Sequence, residues 1–333
     1  MYLLAGDIGG TKTALSLYER GPAGGFREVE RSRVPSAHYS GLTPLVRDFL
    51  NDACDGRPVP LAAAAFGVAG PVEDGVCRTT NLPWVIHQEQ LSVGLETRAG
   101  LINDFHAVGL GIDQLADDDL EVLQEGDVDP AGPVAIIGAG TGLGEALVVP
   151  GPHGPQVVAS EGGHADFAAH NEEEIDLLRY LLRHHSRVSM ERVVSGPGLH
   201  TLYRFLIETG RESATPQTLA AIEAGDPGRE IGVRGLSGED AACERALRLF
   251  VSLYGAEAGN LALKVLPTGG LYVTGGIAPQ LLDKLRDGSF MHAFLDKGRM
   301  SPLLQRMRVS VVRNADVGLL GARALAETLS QAN

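Results

Sequence analysis

Asp104 is the residue of this chain best suited to take a proton. It follows Gly100-Leu101-Ile102-Asn103, an apolar run that reads as a short buried strand with polar last residues. A carboxylate at such a strand end acts as a general base if a hydroxyl comes within hydrogen-bond reach. The amide of Asn103 beside it is able to orient a substrate. The same position also suits an Asp that caps the next helix, which Phe105, Val108 and Leu110 would form, and spacing leaves both open.

A second cluster is Glu161-Gly162-Gly163-His164. Glu-x-x-His can ligate a metal from one helix face. Two intervening glycines argue against a helix, and no second such motif occurs. A loop that offers a carboxylate and an imidazole to a polyol fits these residues better, because the first accepts hydroxyl protons and the second donates or accepts. Glu191 would add another acceptor; alone it reads as a solvated acid paired with Arg187 or Arg192. His170, His184 and His185 read as surface residues, and Trp84 as either core or the wall of a sugar-facing loop.

Two glycine-rich turns complete the candidate chemistry. One is Gly6-Asp7-Ile8-Gly9-Gly10-Thr11, the other Gly138-Ala139-Gly140-Thr141-Gly142-Leu143-Gly144. Each lies between two apolar runs and reads as strand, tight turn, strand. Glycine allows close backbone approach, and successive N–H groups in such turns form anion-binding concavities. Neither is a dinucleotide fingerprint, since the third glycine would fall at Leu143 or Glu145, and neither is a P-loop, since Thr11 precedes Lys12. Ordinary hairpins remain the plain alternative for either turn alone. Together, with Asp7 at a strand end, they suggest a phosphate clamp. Gly275-Gly276 after another strand would admit a flat base or ribose, or simply turn the chain.

The elements that must hold these residues are legible in the apolar spacing. Leu42, Leu45, Val46, Phe49 and Leu50 keep helical spacing, and Leu61 to Val68 reads as a buried strand. Asn171 reads as the N-cap of a helix with Ile175, Leu178 and Leu182 on one face. A long helix is expected from about Ala241 to Leu266, a strand at Leu271–Thr274 and a last helix carrying Leu319, Leu320, Leu325 and Leu329. Gly21–Gly25, Ser213–Pro216 and Gly225–Arg234 read as loops. Strands alternating with helices predict an α/β chain with mixed sheets, in which ligands bind beyond strand carboxyl ends. Asn103 and Asp104 sit at such an end.

Bulk composition narrows the function. A chain of 333 residues suggests two domains. A net charge of −14 argues against a nucleic-acid surface and predicts that a polyphosphate would arrive with Mg²⁺. Three scattered cysteines, Cys54, Cys77 and Cys243, predict neither a disulfide framework nor a zinc cluster, and suit a reducing cytoplasm. No signal peptide and no membrane span are expected.

In its motifs the chain resembles the bacterial glucokinase family, the non-zinc branch, within the actin–hexokinase–Hsp70 fold superfamily. The stretches that carry the resemblance are Gly6–Thr11, Asn81 with Trp84, Ile102-Asn103-Asp104-Phe105, Gly138–Gly144, Glu161–Phe167, Glu191-Arg192 with Ser195–Leu199, Gly275-Gly276-Ile277 and Gly318-Leu319-Leu320-Gly321. They keep the family's order over nearly the whole chain. The resemblance implies a two-domain actin/hexokinase-like (ribonuclease H-like) fold with an interdomain cleft. Residues 1–112 with 316–333 would form the small domain and 113–315 the large one.

The same resemblance implies ATP-dependent phosphorylation of glucose at its 6-hydroxyl, with Asp104 as catalytic base. Asn103, Glu161, His164 and Glu191 would bind the other hydroxyls. Gly9, Gly10, Thr11, Gly138, Gly140 and Thr141 would flank the ATP phosphates, with Asp7 near Mg²⁺, directly or through water, and Gly275 and Gly276 by the adenosine. Family members are commonly homodimers. The related repressor–kinase group carries a cysteine-rich zinc motif and, in its regulators, an N-terminal DNA-binding segment; neither is expected here. The remaining alternatives are another hexose, another phosphoryl donor, or a sugar-sensing regulator without catalysis.

Overall fold

Strand alternation governs the first half of the chain. Leu3 and Ala5 face one way and Leu4 and Ile8 the other, and all four are buried, so this strand lies inside a sheet covered on both faces. The computed structural model describes residues 1–21, 25–79, 82–152 and 154–331. Asn81 and most of the expected loop at Gly21–Gly25 lie outside the described residues.

In chain order the first elements are β1 (Tyr2–Ile8), β2 (Lys12–Arg20), β3 (Phe26–Pro35), α1 (Leu42–Ala53) and β4 (Leu61–Val68). The short strands β5 (Val72–Glu73), β6 (Val76–Arg78) and β7 (Val85–His87) follow, then α2 (Gln88–Gly94), β8 (Ala99–Asn103) and α3 (Asp104–Gly111). Next come β9 (Leu120–Gln124), β10 (Val134–Ala139), β11 (Leu143–Val149), β12 (Gln156–Ser160) and α4 (Glu172–Leu181). The helices α5 (Gly196–Glu208), α6 (Pro216–Ala224), α7 (Pro227–Ser237) and α8 (Ala241–Val265) lead to β13 (Gly270–Thr274). The chain ends with α9 (Leu282–Arg286), α10 (Ser289–Leu295), α11 (Ser301–Leu304), β14 (Val309–Val312) and α12 (Val317–Gln331).

The chain divides into two compact units, Met1–Asp117 with Asn314–Asn333, and Asp118–Arg313. The first holds a sheet of order β3-β2-β1-β4-β8 and a small sheet β5-β6-β7. Its β1, β2 and β3 run antiparallel, and β1, β4 and β8 parallel. Leu42, Leu45, Val46 and Phe49 of α1 pack on one face. Leu319, Ala322 and Ala326 of α12 pack on the other.

The second unit repeats the pattern with a sheet of order β12-β11-β10-β13-β14-β9. Again a three-strand antiparallel meander joins parallel strands at its first member, and β9 closes the far edge antiparallel to β14. The core of this unit centres on α8, whose Phe250 and Tyr254 are fully buried, the latter edge-on to Phe290.

Two expectations change. Gly225–Arg234 is not a loop: Asp226 caps α7 by accepting the N–H of Arg229, and Pro227 opens the helix. The glycines there serve packing, since a Cβ on Gly228 would lie 2.6 Å from the Gly196 carbonyl and one on Gly235 2.8 Å from that of Cys243. In α4 the cap at Asn171 is as expected, yet the buried residues are Glu174, Leu177, Tyr180 and Leu181, while Leu182 is half-exposed beyond the last turn. The helix is turned by about one position because Leu177 and Leu181 enter the main core.

Candidate functional site

In the first unit the glycine turn joins β1 to β2. Gly9 N–H donates to the Lys12 carbonyl (3.0 Å), and Ala69 N–H donates to the Ile8 carbonyl (3.0 Å). Ser36 ties the turn from below: its hydroxyl donates to the Gly9 carbonyl (2.8 Å), its N–H to the Thr11 carbonyl (3.0 Å), and it shares a hydrogen bond with the Thr13 hydroxyl (3.0 Å). Thr11 and Lys12 stay exposed at the tip. Nothing in the sequence pointed to Ser36, which lies 27 residues from Gly9.

Asp7 precedes this turn, in register with Gly67 of β4. Gly318, at the start of α12, packs so close that its Cβ would stand 3.5 Å from Asp7 Oδ2. Burial, with the Asp104 and Asp316 carboxylates nearby, pushes the Asp7 carboxyl up to about 6, against the opposing Arg33. Arg31 and Arg33 both bind Asp316, at 2.5 and 2.6 Å.

Asn103 and Asp104 sit where β8 becomes α3. Asn103 is the helix cap: its Oδ1 accepts from Phe105 N–H (2.9 Å) and His106 N–H (3.3 Å). One proton of its amide goes to the Gly70 carbonyl (3.0 Å), leaving the other for a ligand. Asp104 is therefore the first helical residue and not the cap, and its Oδ1 accepts from Phe105 N–H (2.9 Å). Trp84 is core, with its indole N–H on the Tyr39 carbonyl (3.1 Å) and its ring almost fully buried. That removes it as a sugar-facing wall.

In the second unit three expected residues come together. Glu161-Gly162-Gly163-His164 forms a single 3-10 turn, Gly162–His164. A side chain on Gly163 would strike the Leu143 carbonyl, so the turn lies directly on the start of β11. His164 Nε2 is 3.9 Å from Glu161 Oε2, and its Nδ1 is 3.8 Å from Glu191 Oε1. Arg187 holds the turn by donating to the His164 carbonyl (2.8 Å) and to Asp166 Oδ1 (2.6 Å). Glu191 is thus no solvated acid paired with arginine. Its Oε2 accepts the N–H of Leu143 (3.1 Å), the residue that ends the second glycine turn.

That turn is braced on every side. Gly140 N–H donates to the Gly142 carbonyl (2.8 Å), and Gly196 N–H, at the start of α5, donates to the Gly140 carbonyl (2.8 Å). Ile277 N–H donates to the Ala139 carbonyl (3.2 Å), while Ala139 N–H donates to the Tyr254 hydroxyl (3.0 Å). Thr141 is exposed, and the space where a Cβ on Gly140 would point is open. Gly138 differs: it is buried inside β10, opposite Gly144 and Thr274. The structure places it in the sheet and leaves Gly140 and Thr141 as the outward residues of the turn.

Gly275 follows β13 with φ +85° and would drive any side chain into the Ala139 carbonyl. Gly276 beside it faces open space. The α5 N-terminus lies within the Ser195–Leu199 motif. Ser195 caps it, accepting from Gly198 N–H (3.0 Å) and donating to the Glu191 carbonyl (2.8 Å). A helix N-terminus beside a glycine turn favours anions.

Two glycine hairpins, each heading a meander that passes into parallel strands, define the class as the mixed α/β fold of actin and hexokinase. The structure of a glucokinase from an Antarctic psychrotroph shares this fold with a TM-score of 0.83 at 30% identity, over 98% of this chain and 99% of that one. A ROK family glucokinase from Streptomyces griseus, solved with glucose and AMPPNP, aligns with a TM-score of 0.67 at 21% identity, covering 98% of this chain and 100% of that chain. The Glucokinase family model matches residues 4–329. A glucokinase of Nostoc punctiforme is 45% identical, covering 98% of this chain and 99% of its own length, and one of Synechocystis is 46% identical with 97% of each covered. The chain belongs to the glucokinase family. Among the described residues no helix is long and apolar enough to cross a membrane.

Proposed function

We propose that this chain is an ATP-dependent glucose kinase in which Asp104 draws the proton from the 6-hydroxyl as that oxygen attacks the γ-phosphorus. The observation that carries the reading is Glu191. One of its oxygens accepts the N–H at the end of a glycine turn and the other lies 3.8 Å from His164 Nδ1, so phosphate-type and polyol-type groups sit side by side on one carboxylate. Glu161, His164 and Glu191 accept or donate to sugar hydroxyls, and Asn103 adds its remaining amide proton. Gly9, Gly10, Thr11, Gly140 and Thr141 offer backbone N–H groups and a hydroxyl to the ATP phosphates, with the α5 N-terminus adding positive potential. Gly138 supports the strand behind them. Gly275 and Gly276 leave room for the adenosine.

Asp7 suits Mg²⁺. Its anion is disfavoured by burial and by two neighbouring carboxylates, so a hard cation would relieve the site. Among the described residues no group of three or more His, Cys, Asp or Glu could hold a metal, so most ligands would be phosphate oxygens and water, the usual Mg²⁺ arrangement in phosphoryl transfer. The ion would offset phosphate charge in the transition state. Removing it with a chelator should abolish turnover, and added Mg²⁺ should restore it.

Replacing Asp104 with Ala should lower kcat by about 10² to 10⁴, the range of general-base catalysis, while calorimetry still detects glucose binding. Near wild-type turnover in that variant would sink the base assignment. A hexose panel with Mg-ATP, read as ADP release, tests the acceptor, and a phosphoryl-donor panel tests ATP. The family resemblance also supports a cytoplasmic homodimer, which sedimentation at assay concentration checks.

A further inference from the structure

The turn that carries Glu161 and His164 rests on a buried acid. Glu145 lies on β11 opposite Ser160 of β12 and is 1% exposed. Its Oε2 fills the space that a side chain on Gly162 would need. Its Oε1 has no hydrogen-bond partner. Facing it is Glu257 of α8, 3% exposed, whose Oε2 accepts from Asn260 Nδ2 (2.9 Å) and whose Oε1 also lacks a partner. The two carboxyl groups lie within hydrogen-bond reach of each other.

Two carboxylates in that position have no proton to share, and both oxygens stay unsatisfied. One proton between them makes a donor of one and an acceptor of the other. We infer that Glu145 and Glu257 hold a single proton between them, and that this proton positions the Gly162–His164 turn for sugar binding. The inference rests on the reading that this turn binds the sugar.

The surrounding charges say where the proton sits. Lys264 Nζ is 3.7 Å from Glu257 Oε1, and the half-buried Lys297 feels the charges of Glu257, Asp296 and Glu174. From α8 the Tyr254 hydroxyl, bound to the Ala139, Ile137 and Thr274 backbone, feels the Glu145 charge, and Ser160, Glu161 and His164 belong to the neighbouring strand and turn. Lys264 is paired with Glu257, and although its charge also reaches Glu145 and opposes protonation there, burial and the Glu257 charge outweigh it, so the proton sits on Glu145. Burial first, and then the Glu257 charge, push the Glu145 carboxyl up to about 7. Loss of the proton puts two anions in one buried contact. The long helix α8 is held by the core, whereas Glu161 and His164 are exposed, so the turn gives way and carries its sugar groups with it.

The test measures glucose KM and kcat from about pH 6 to about pH 8.5 in the wild type, Glu145→Gln, Glu145→Ala and His164→Ala. Glutamine keeps the shape and donates an N–H to Glu257 at every pH. Wild-type KM should rise about fivefold as pH passes 7, the lower end of coupling between sites, with kcat changing less. Glu145→Gln should keep the low-pH KM throughout, and Glu145→Ala, without a donor, should show a raised KM at every pH. Thermal stability gives a readout independent of sugar. The folded-state value lies above the ordinary 4.5, so this stabilisation is complete below pH 4.5 and is lost as pH rises to about 7; Glu145→Gln should lack that slope. If His164→Ala raises KM but wild-type and Glu145→Gln profiles coincide, the sugar reading stands and this inference falls. If His164→Ala leaves KM unchanged, both fall. Equal stability slopes in wild type and Glu145→Gln also overturn the shared proton.

Discussion

The two glycine hairpins are alike in outline and opposite in how they are fastened. The β1–β2 turn leans on one side chain, Ser36, and ends in the exposed Thr11 and Lys12. The β10–β11 turn is held by N–H groups from Gly196 and Ile277, by the Tyr254 hydroxyl and by Glu191. The first, the turn proposed to meet phosphate, is held by Ser36 and by the Ala69 N–H on the Ile8 carbonyl. The second is continuous with the residues assigned to the sugar. Similar glycine spacing therefore hides a difference in coupling: the second turn should report on both substrates, the first on ATP alone.

The largest break in this contrast should come from Gly275→Ala. The new side chain must adopt φ +85° and meets the Ala139 carbonyl behind the second turn. The backbone strain costs about 1–3 kcal/mol, and the overpacking about as much again. A melting temperature lower by about 5 °C or more is expected. An unchanged melting curve would mean that the brace is soft.

Gly142→Ala sharpens the contrast. Its Cβ would stand 2.5 Å from Glu191 Oε2, the far end of a flexible side chain, so the fold survives while Glu191 moves. Glucose KM should rise about tenfold, because a sugar hydroxyl loses its proposed partner, although the substitution lies in the turn proposed for phosphate. An effect on ATP KM alone would separate the turn from the sugar residues.

Ser36→Ala should have the smallest effect. It leaves the Gly9 carbonyl without its hydroxyl donor, at a cost of about 1 kcal/mol. ATP KM should rise about threefold, within the tenfold that 1.4 kcal/mol represents, and glucose KM should stay as it is. Equal changes in both constants would remove the asymmetry between the turns.

Elements whose burial follows a simple period were legible in the sequence. The apolar run Leu61–Val68 is β4 residue for residue, and Asn171 caps α4 as its side chain allows. The glycine turns and the Glu161–His164 turn were legible because glycine marks close approach. What escaped was set by tertiary contact. The glycines of α7 look like loop residues until Gly196 and Cys243 are seen against them. Asp226-Pro227, a cap followed by proline, was the signal available there. Ser36 and Tyr254 act on turns far away in the chain, which no local pattern encodes. Glu145, an acid between Gly144 and Ala146-Leu147-Val148 in a strand, was a visible anomaly whose partner Glu257 only the fold supplies.

The return of α12 to the first unit bears on how the enzyme is made. The β1–β4 face is covered by Leu319, Ala322 and Ala326, and Asp7 gains its neighbour Gly318 from the same helix. During synthesis the segment 118–313 emerges with every strand of its own sheet, and can fold as a unit while the ribosome is still at work. The unit that begins the chain must wait, one face bare, for residues 317–331. The first part translated is the last completed, so a truncated or stalled chain would hold the second glycine turn and the Glu161–His164 turn without a finished surrounding for Asp7.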